Sequence, residues 1–153
     1  MTGRAPVTLR PMTRDDLHAV MRLEEELFAP DTWTRSMYLE ELGMSDTRYY
    51  LVAVDGEEVV GYAGLIAYPE EAHVATIGVA TSRQGEGIGG TLLDALLVEA
   101  DRRSPVVLLE VRADDGPTQA FYGRRGFEAI GRRPNYYPLS GADALVMRRE
   151  VRR

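Results

Sequence analysis

Apolar and polar residues follow different rhythms along this chain, and each change of rhythm marks an element. Val7 to Arg10 predicts a short strand. Thr13 then stands as a helix cap, with Asp16 as a weaker form of the capping box. Leu17, Val20, Met21, Leu27 and Phe28 recur at helical spacing, so an amphipathic helix follows. Glu24, Glu25 and Glu26 read as its solvated face. FAPDTW breaks the helix, and a second one is expected from Arg35 to Leu42, stopped by Gly43.

The middle of the chain reads as β. Tyr49 to Val54 and Glu58 to Tyr68 flank Asp55-Gly56, a strong hairpin signal. Ala72 to Ala80 is the next strand. A glycine-rich stretch leads into a helix to about Arg102, whose Ile88, Leu92, Leu96 and Ala100 form an i, i+4 stripe. PVVLLEV reads as a strand buried on both faces, because apolar residues occupy successive positions. Gly116-Pro117 opens a shorter helix to about Arg125, ended by Gly126, and FEAIGRR and ADALVMRRE close the chain as strands. The order β-α-α-β-β-β-α-β-α-β-β predicts an α+β fold with a mixed sheet, one strand-helix-strand unit lying between hairpin-like pairs.

Composition narrows the chemistry. A length of 153 residues suggests one domain, with residues 1–6 as a tail. The net charge of −6 speaks against direct nucleic-acid binding. The absence of cysteine excludes disulfides, thiolate zinc ligands and a thiol nucleophile. His18 and His73 lack metal-ligand spacing, so no metal is expected. No apolar run suggests a membrane span or a signal peptide, and a cytoplasmic location is the expectation.

The glycine-rich stretch is RQGEGIGGTLL, Arg83 to Leu93. Gly85, Gly87 and Gly90 fit G-x-G-x-x-G, and Glu110 lies 20 residues beyond, where a dinucleotide site wants an acid for the ribose. Framed from Gln84, the same residues read Q-x-x-G-x-G. Either frame lets backbone N–H groups approach phosphate at a helix N-terminus. The dinucleotide frame fails on context. Thr81 to Gln84 separate the strand from Gly85, and the 43 residues after Glu110 cannot supply further βαβ units. A glycine-rich turn that binds nothing is the plainer alternative.

The succession IGVA, QGEGIGGTLL, LEVR, AFYGRRGFEAIGRR and NYYP resembles the GNAT family of N-acetyltransferases over roughly Val7 to Glu150, and most of all its RimI subfamily, which acetylates the N-terminal alanine of a small-subunit ribosomal protein. The resemblance implies a GNAT fold: a mixed central sheet with a splayed strand pair and flanking helices, taking acetyl-CoA as cosubstrate. Ile77, Gly78 and Val79 would line the pantetheine arm by their backbone, with the Val79 N–H donating to the thioester carbonyl. Gly85, Glu86, Gly87, Ile88, Gly89 and Gly90 would cradle the diphosphate. The subfamily often carries Arg at positions 85 and 90, and here both are Gly, with Glu86 between them. Arg83 and the helix terminus are then the local positive charge, and Gly90→Arg is expected to tighten acetyl-CoA binding.

LEVR identifies Glu110 as the implied general base, a carboxylate isolated in an apolar run. A structural carboxylate paired with a nearby arginine such as Arg112 is the other reading. Tyr122 matches the tyrosine that protonates the departing thiolate, a phenol at about 10 being able to donate to a thiol at about 8.5. A core aromatic beside Phe121 is the alternative. Asp115 stands where relatives carry Asn, so it either contacts the cofactor or caps the helix at Pro117. Trp33 and Tyr137 are the expected walls of the acceptor groove.

Without cysteine, direct attack by the acceptor amine in a ternary complex is the implied route. A protein N-terminal peptide is the expected acceptor. A GNAT acetylating lysine side chains or a small amine, and a non-catalytic acyl-CoA-binding module, stand as alternatives.

Overall fold

A computed structural model describes residues 6–151. The expected tail, residues 1–6, lies outside the described residues except for Pro6. The strands are β1 (Thr8–Pro11), β2 (Arg48–Asp55), β3 (Glu58–Ala67), β4 (Ala72–Val79), β5 (Val106–Arg112), β6 (Glu128–Arg133) and β7 (Ala144–Glu150). The helices are α1 (Leu17–Phe28), α2 (Arg35–Leu42), α3 (Ile88–Arg103) and α4 (Gly116–Gly123). Short 3-10 turns at Arg14–Asp16 and Thr81–Arg83 add to the expected elements. The Thr13 N–H donates to Asp16 Oδ2 at 2.7 Å, so the expected cap opens the first of these turns, one turn ahead of α1.

The strands form one α+β sheet in the order β1-β2-β3-β4-β5-β7-β6, antiparallel everywhere except between β4 and β5. Each face of the sheet has its own core. Leu92, Leu93 and Leu96 of α3 pack with Leu65, Leu109 and Tyr122 on one side. Leu17, Val20 and Leu23 of α1 pack with Val52, Tyr62 and Tyr38 on the other. Among the described residues no helix is long and apolar enough to cross a membrane.

The parallel pair is the feature that makes a site. β4 and β5 match only at Ala72 with Val107 and at His73 with Leu108, and then separate. A register shift between Gly64 and Leu65 of β3 leaves Ala75 of β4 unmatched. A bulge bends its strand, and this one falls where β4 leaves β5. The expected splayed pair is therefore present.

Two expectations are corrected. β5 is not buried on both faces: Val107, Leu109 and Val111 point into the α3 core, while Leu108, Glu110 and Arg112 stand half-buried opposite. Burial alternates along β5, so only one of its faces enters that core. Glu24 is not on a solvated face either, being only 1% exposed. It lies four residues after Val20, on the same stripe as Leu17 and Leu27. Glu26 is exposed, as expected, and accepts the Thr81 N–H at 2.7 Å.

Glu24 is held entirely by neutral donors. Its Oε1 accepts the hydroxyls of Tyr38 at 2.6 Å and Tyr62 at 3.0 Å, and its Oε2 accepts the Trp33 N–H at 3.0 Å. Gly78 makes room for this network, since a Cβ there would lie 2.9 Å from the Tyr62 hydroxyl. Burial first, then the neighbouring tyrosine and Glu24, push the Tyr38 phenol far above its ordinary value. Burial and Glu24 do the same to Tyr62, and burial and Glu41 to Tyr50.

The folded state thus resists ionising these phenols while the unfolded chain does not. Stability should be level below about pH 10 and fall above it by up to about 1.4 kcal/mol per pH unit per phenol. Urea midpoints at pH 9 and pH 11 check this. A large drop at pH 11, with further phenolate absorbance appearing on unfolding, is expected; equal midpoints contradict it.

Candidate active site

The end of the shared ladder faces a cleft of about 450 Å³, with Trp33, Met37, His73, Glu110, Arg133 and Tyr136 among the residues on its walls. Glu110 lies two residues past the last β4–β5 match, with its side chain 14% exposed. Its nearest cation is Arg133, 4.0 Å away, not Arg112. Arg112 is committed elsewhere, to Asp114 at 3.0 Å and Asp31 at 3.4 Å. Of the two readings of Glu110, the paired carboxylate has Arg133 rather than Arg112 as its partner, and the same carboxylate faces the cleft.

Strand geometry decides where the backbone of β4 points. In an antiparallel ladder alternate residues exchange hydrogen bonds and the rest turn outward. The Ala80 N–H donates to the Val60 carbonyl at 2.8 Å, so Gly78, opposite Tyr62, also bonds to β3. Ile77 and Val79 therefore aim their N–H and C=O groups at the gap left by β5. Their side chains pack against the α3 core, so only their backbones face the gap. The Gln84 side-chain amide donates to the Val79 carbonyl at 3.1 Å and ties strand to loop.

The loop after β4 is shaped for an anion. Gly85 and Gly87 have φ of 84° and 86°, which an L side chain rarely adopts. Gly87 caps α3 with no side-chain bond, and Thr91 makes the first helical bond, to the Gly87 carbonyl at 3.0 Å. Among the described residues the N–H groups from Gly87 to Gly90 have no acceptor, as expected of a helix start. Ile88 buries its side chain beside Gly61 and offers only its N–H. Gly89 sits 3.6 Å (as a built Cβ) from Phe121 and Val79.

The charges of this loop differ from expectation. Arg83 is 4% exposed and bridges Asp55 at 2.8 Å and Glu86 at 2.9 Å. It neutralises Glu86 from beneath the loop and does not face a ligand. The cation at the helix start is Arg125, whose Nη2 occupies the space a Cβ on Gly90 would need. An arginine placed at 90 would meet that guanidinium, so the gain expected from Gly90→Arg alone is withdrawn.

Tyr122 is 5% exposed and stacks edge-on with Phe121 and Phe127, at ring distances of 5.2 and 5.6 Å. Burial first, then Tyr137 and Asp115, push its phenol above the ordinary value. Its hydroxyl has no hydrogen-bond partner among the described residues. Asp115 is the cap of α4, accepting the Thr118 N–H at 3.1 Å and the Thr118 hydroxyl at 2.6 Å. Each of its oxygens accepts one bond there, so the packing shows the capping role.

On the acceptor side Trp33 lines the cleft as expected, fixed by Glu24 and by the Tyr38 ring 4.9 Å away. Tyr136, rather than Tyr137, is the second aromatic wall. Tyr137 lies behind it, edge-on at 5.0 Å and beneath the Arg112 guanidinium. Burial, then Tyr136 and Glu110, push its phenol up to about 12. Tyr137 thus feels the Glu110 carboxylate and is itself felt by Tyr122. Asp31 accepts the Ser140 N–H at 3.1 Å, joining the α1–α2 loop to the β6–β7 loop.

Glu24, Arg133, Tyr136 and Arg125 are the site residues not foreseen from the sequence. The helical period carries a signal for Glu24, and its position beside Tyr137 carries one for Tyr136. Arg125 and Arg133 are brought in by tertiary packing alone.

The acetyltransferase (GNAT) family model matches residues 17–127. N-alpha-acetyltransferase RimI of Mycobacterium tuberculosis is 43% identical over 150 residues, covering 95% of this chain and 93% of that one. The crystal structure of the ribosomal-protein-S18-alanine N-acetyltransferase from Escherichia coli superposes with a TM-score of 0.86 at 26% identity, covering 96% of this chain and 95% of that one. Ard1 from Thermoplasma volcanium superposes with a TM-score of 0.88 at 26% identity, over 97% of this chain and 100% of that one.

Proposed function

The chain belongs to the acetyltransferase (GNAT) family, and from that premise we propose that this acetyl-CoA-dependent N-acetyltransferase modifies the N-terminal alanine of a small-subunit ribosomal protein in the cytoplasm. Relatives along its full length are N-alpha-acetyltransferases, so N-terminal acetylation of a protein is the class of reaction. The observation that carries the reading is a carboxylate and a strand backbone at one splayed pair: Glu110 faces the cleft, and the Val79 N–H turns into the adjoining gap.

The residues present fit acetyl-CoA. The unpaired edge of β4 offers amide groups to a pantetheine chain, and the N–H groups from Gly87 to Gly90 suit a diphosphate. When bound, the cosubstrate supplies an acetyl group activated as a thioester. Glu110 takes the proton of the acceptor amine, directly or through water. The Val79 N–H stands ready to stabilise negative charge on a carbonyl oxygen in the gap. Tyr122 holds its proton for the departing thiolate. Trp33 and Tyr136 flank the acceptor.

An α-amine, with a pKa of about 7.7–8.0, is roughly a tenth neutral at pH 7, against well under a thousandth for lysine. A single carboxylate base therefore suits an N-terminal amine. The experiment is CoA release with peptides differing only in their first residue. Alanine first is expected to give the highest kcat/KM; equal rates for alanine, methionine and proline starts would overturn the alanine assignment.

A further inference from the structure

We propose that Arg125, two residues past the end of α4, is the cationic anchor for the diphosphate of CoA. The inference rests on the acetyl-CoA reading and adds a residue to it. Three observations carry it. First, the Arg125 Nη2 fills the volume that a Cβ on Gly90 would occupy, so the absence of a side chain at 90 is what admits the guanidinium. Second, the group is aimed and held: its Nε donates to Asp94 at 2.9 Å, and its carbon sits 5.0 Å from the centre of the Phe121 ring. Phe121 in turn lies against Gly89, so this stack stands directly over the first turn of α3. Third, Arg83, the other cation of the loop, is buried and consumed by Asp55 and Glu86.

The terminal nitrogens of Arg125 have no acceptor among the described residues. They lie beside the N–H groups that open α3. A planar guanidinium presents paired donors to phosphate oxygens, and in this place it adds to the positive end of the helix. Arg125 is only partly buried, and its ion pair with Asp94 is a surface one, so removing the side chain leaves the fold intact.

Calorimetric binding of CoA and of 3′-dephospho-CoA to the wild type, R125A and the double variant G90R/R125A tests the assignment, with circular dichroism as the check of folding. R125A should raise Kd about tenfold for both nucleotides, the loss of one charge-assisted contact. G90R/R125A, which returns the charge from the other side, should recover most of that loss. An unchanged Kd in R125A would overturn the proposal. So would a loss seen with CoA and not with 3′-dephospho-CoA, which would put Arg125 on the 3′-phosphate. Failure of the double variant to recover would reduce Arg125 to a packing role and overturn it as well. A wild type that binds neither nucleotide would instead defeat the acetyltransferase reading, and this inference with it.

Discussion

Glu110→Gln is expected to lower kcat/KM by about a hundredfold or more at pH 7, within the range of positioned general bases. The amide keeps the shape of the side chain and its place on the half-buried face of β5, so the fold is unaffected. It cannot accept the proton of an attacking amine. Rate then depends on the fraction of acceptor that is already neutral, which rises about tenfold per pH unit below the α-amine pKa of about 8. The deficit should be greatest at pH 6 and shrink towards pH 9. Affinity for acetyl-CoA should not move, because Glu110 faces the acceptor cleft with Trp33 and Tyr136. A pH–rate profile identical to that of the wild type would remove Glu110 from the role of base. Arg133, 4.0 Å away on the wall of the same cleft, supplies the counter-charge.

Tyr122→Phe is expected to cost about a hundredfold in kcat while leaving the thermal midpoint within a degree or two. The stability expectation follows from packing. The ring stacks edge-on between Phe121 and Phe127, and phenylalanine preserves both contacts. No hydrogen bond of the hydroxyl to the protein is lost. The pH dependence has a definite sign. Burial raises this phenol above the ordinary value, so it stays protonated, and able to donate, throughout the neutral range. Its ionisation therefore produces no falling limb in kcat below about pH 10. Wild-type kcat in the phenylalanine variant would make Tyr122 a core aromatic and nothing more.

How much of this was legible in the sequence varies by element. The apolar runs of β2 and β3 around the Asp55-Gly56 turn, and the stripe of α3, foretell their structures because run length, period and turn chemistry act locally. The splayed pair has no such local signature. It depends on a bulge at Ala75 and on a ladder that ends after His73, and it was anticipated only through resemblance. PVVLLEV read as doubly buried because its apolar run is real, yet only its alternate residues enter the α3 core. Glu24 was misread because a run of three glutamates outweighed the helical period that puts its first member on the apolar stripe. The charge of the glycine loop was misjudged because Arg83 turns under it and Arg125, 35 residues from Gly90 in sequence, reaches over it. Local pattern cannot show either.

The central claim is that Glu110 and the splayed β4–β5 pair serve acetyl transfer to a protein N-terminus. It is tested most directly by mass spectrometry of products formed from acetyl-CoA and two peptides. One begins with a free alanine and contains no lysine; the other is blocked at its N-terminus and carries a single free lysine. The expected result is one acetyl group on the α-amine of the first peptide, strongly reduced in Glu110→Gln, and no comparable modification of the second. Acetylation confined to the lysine peptide, or turnover of the alanine peptide unaltered by Glu110→Gln, would contradict it.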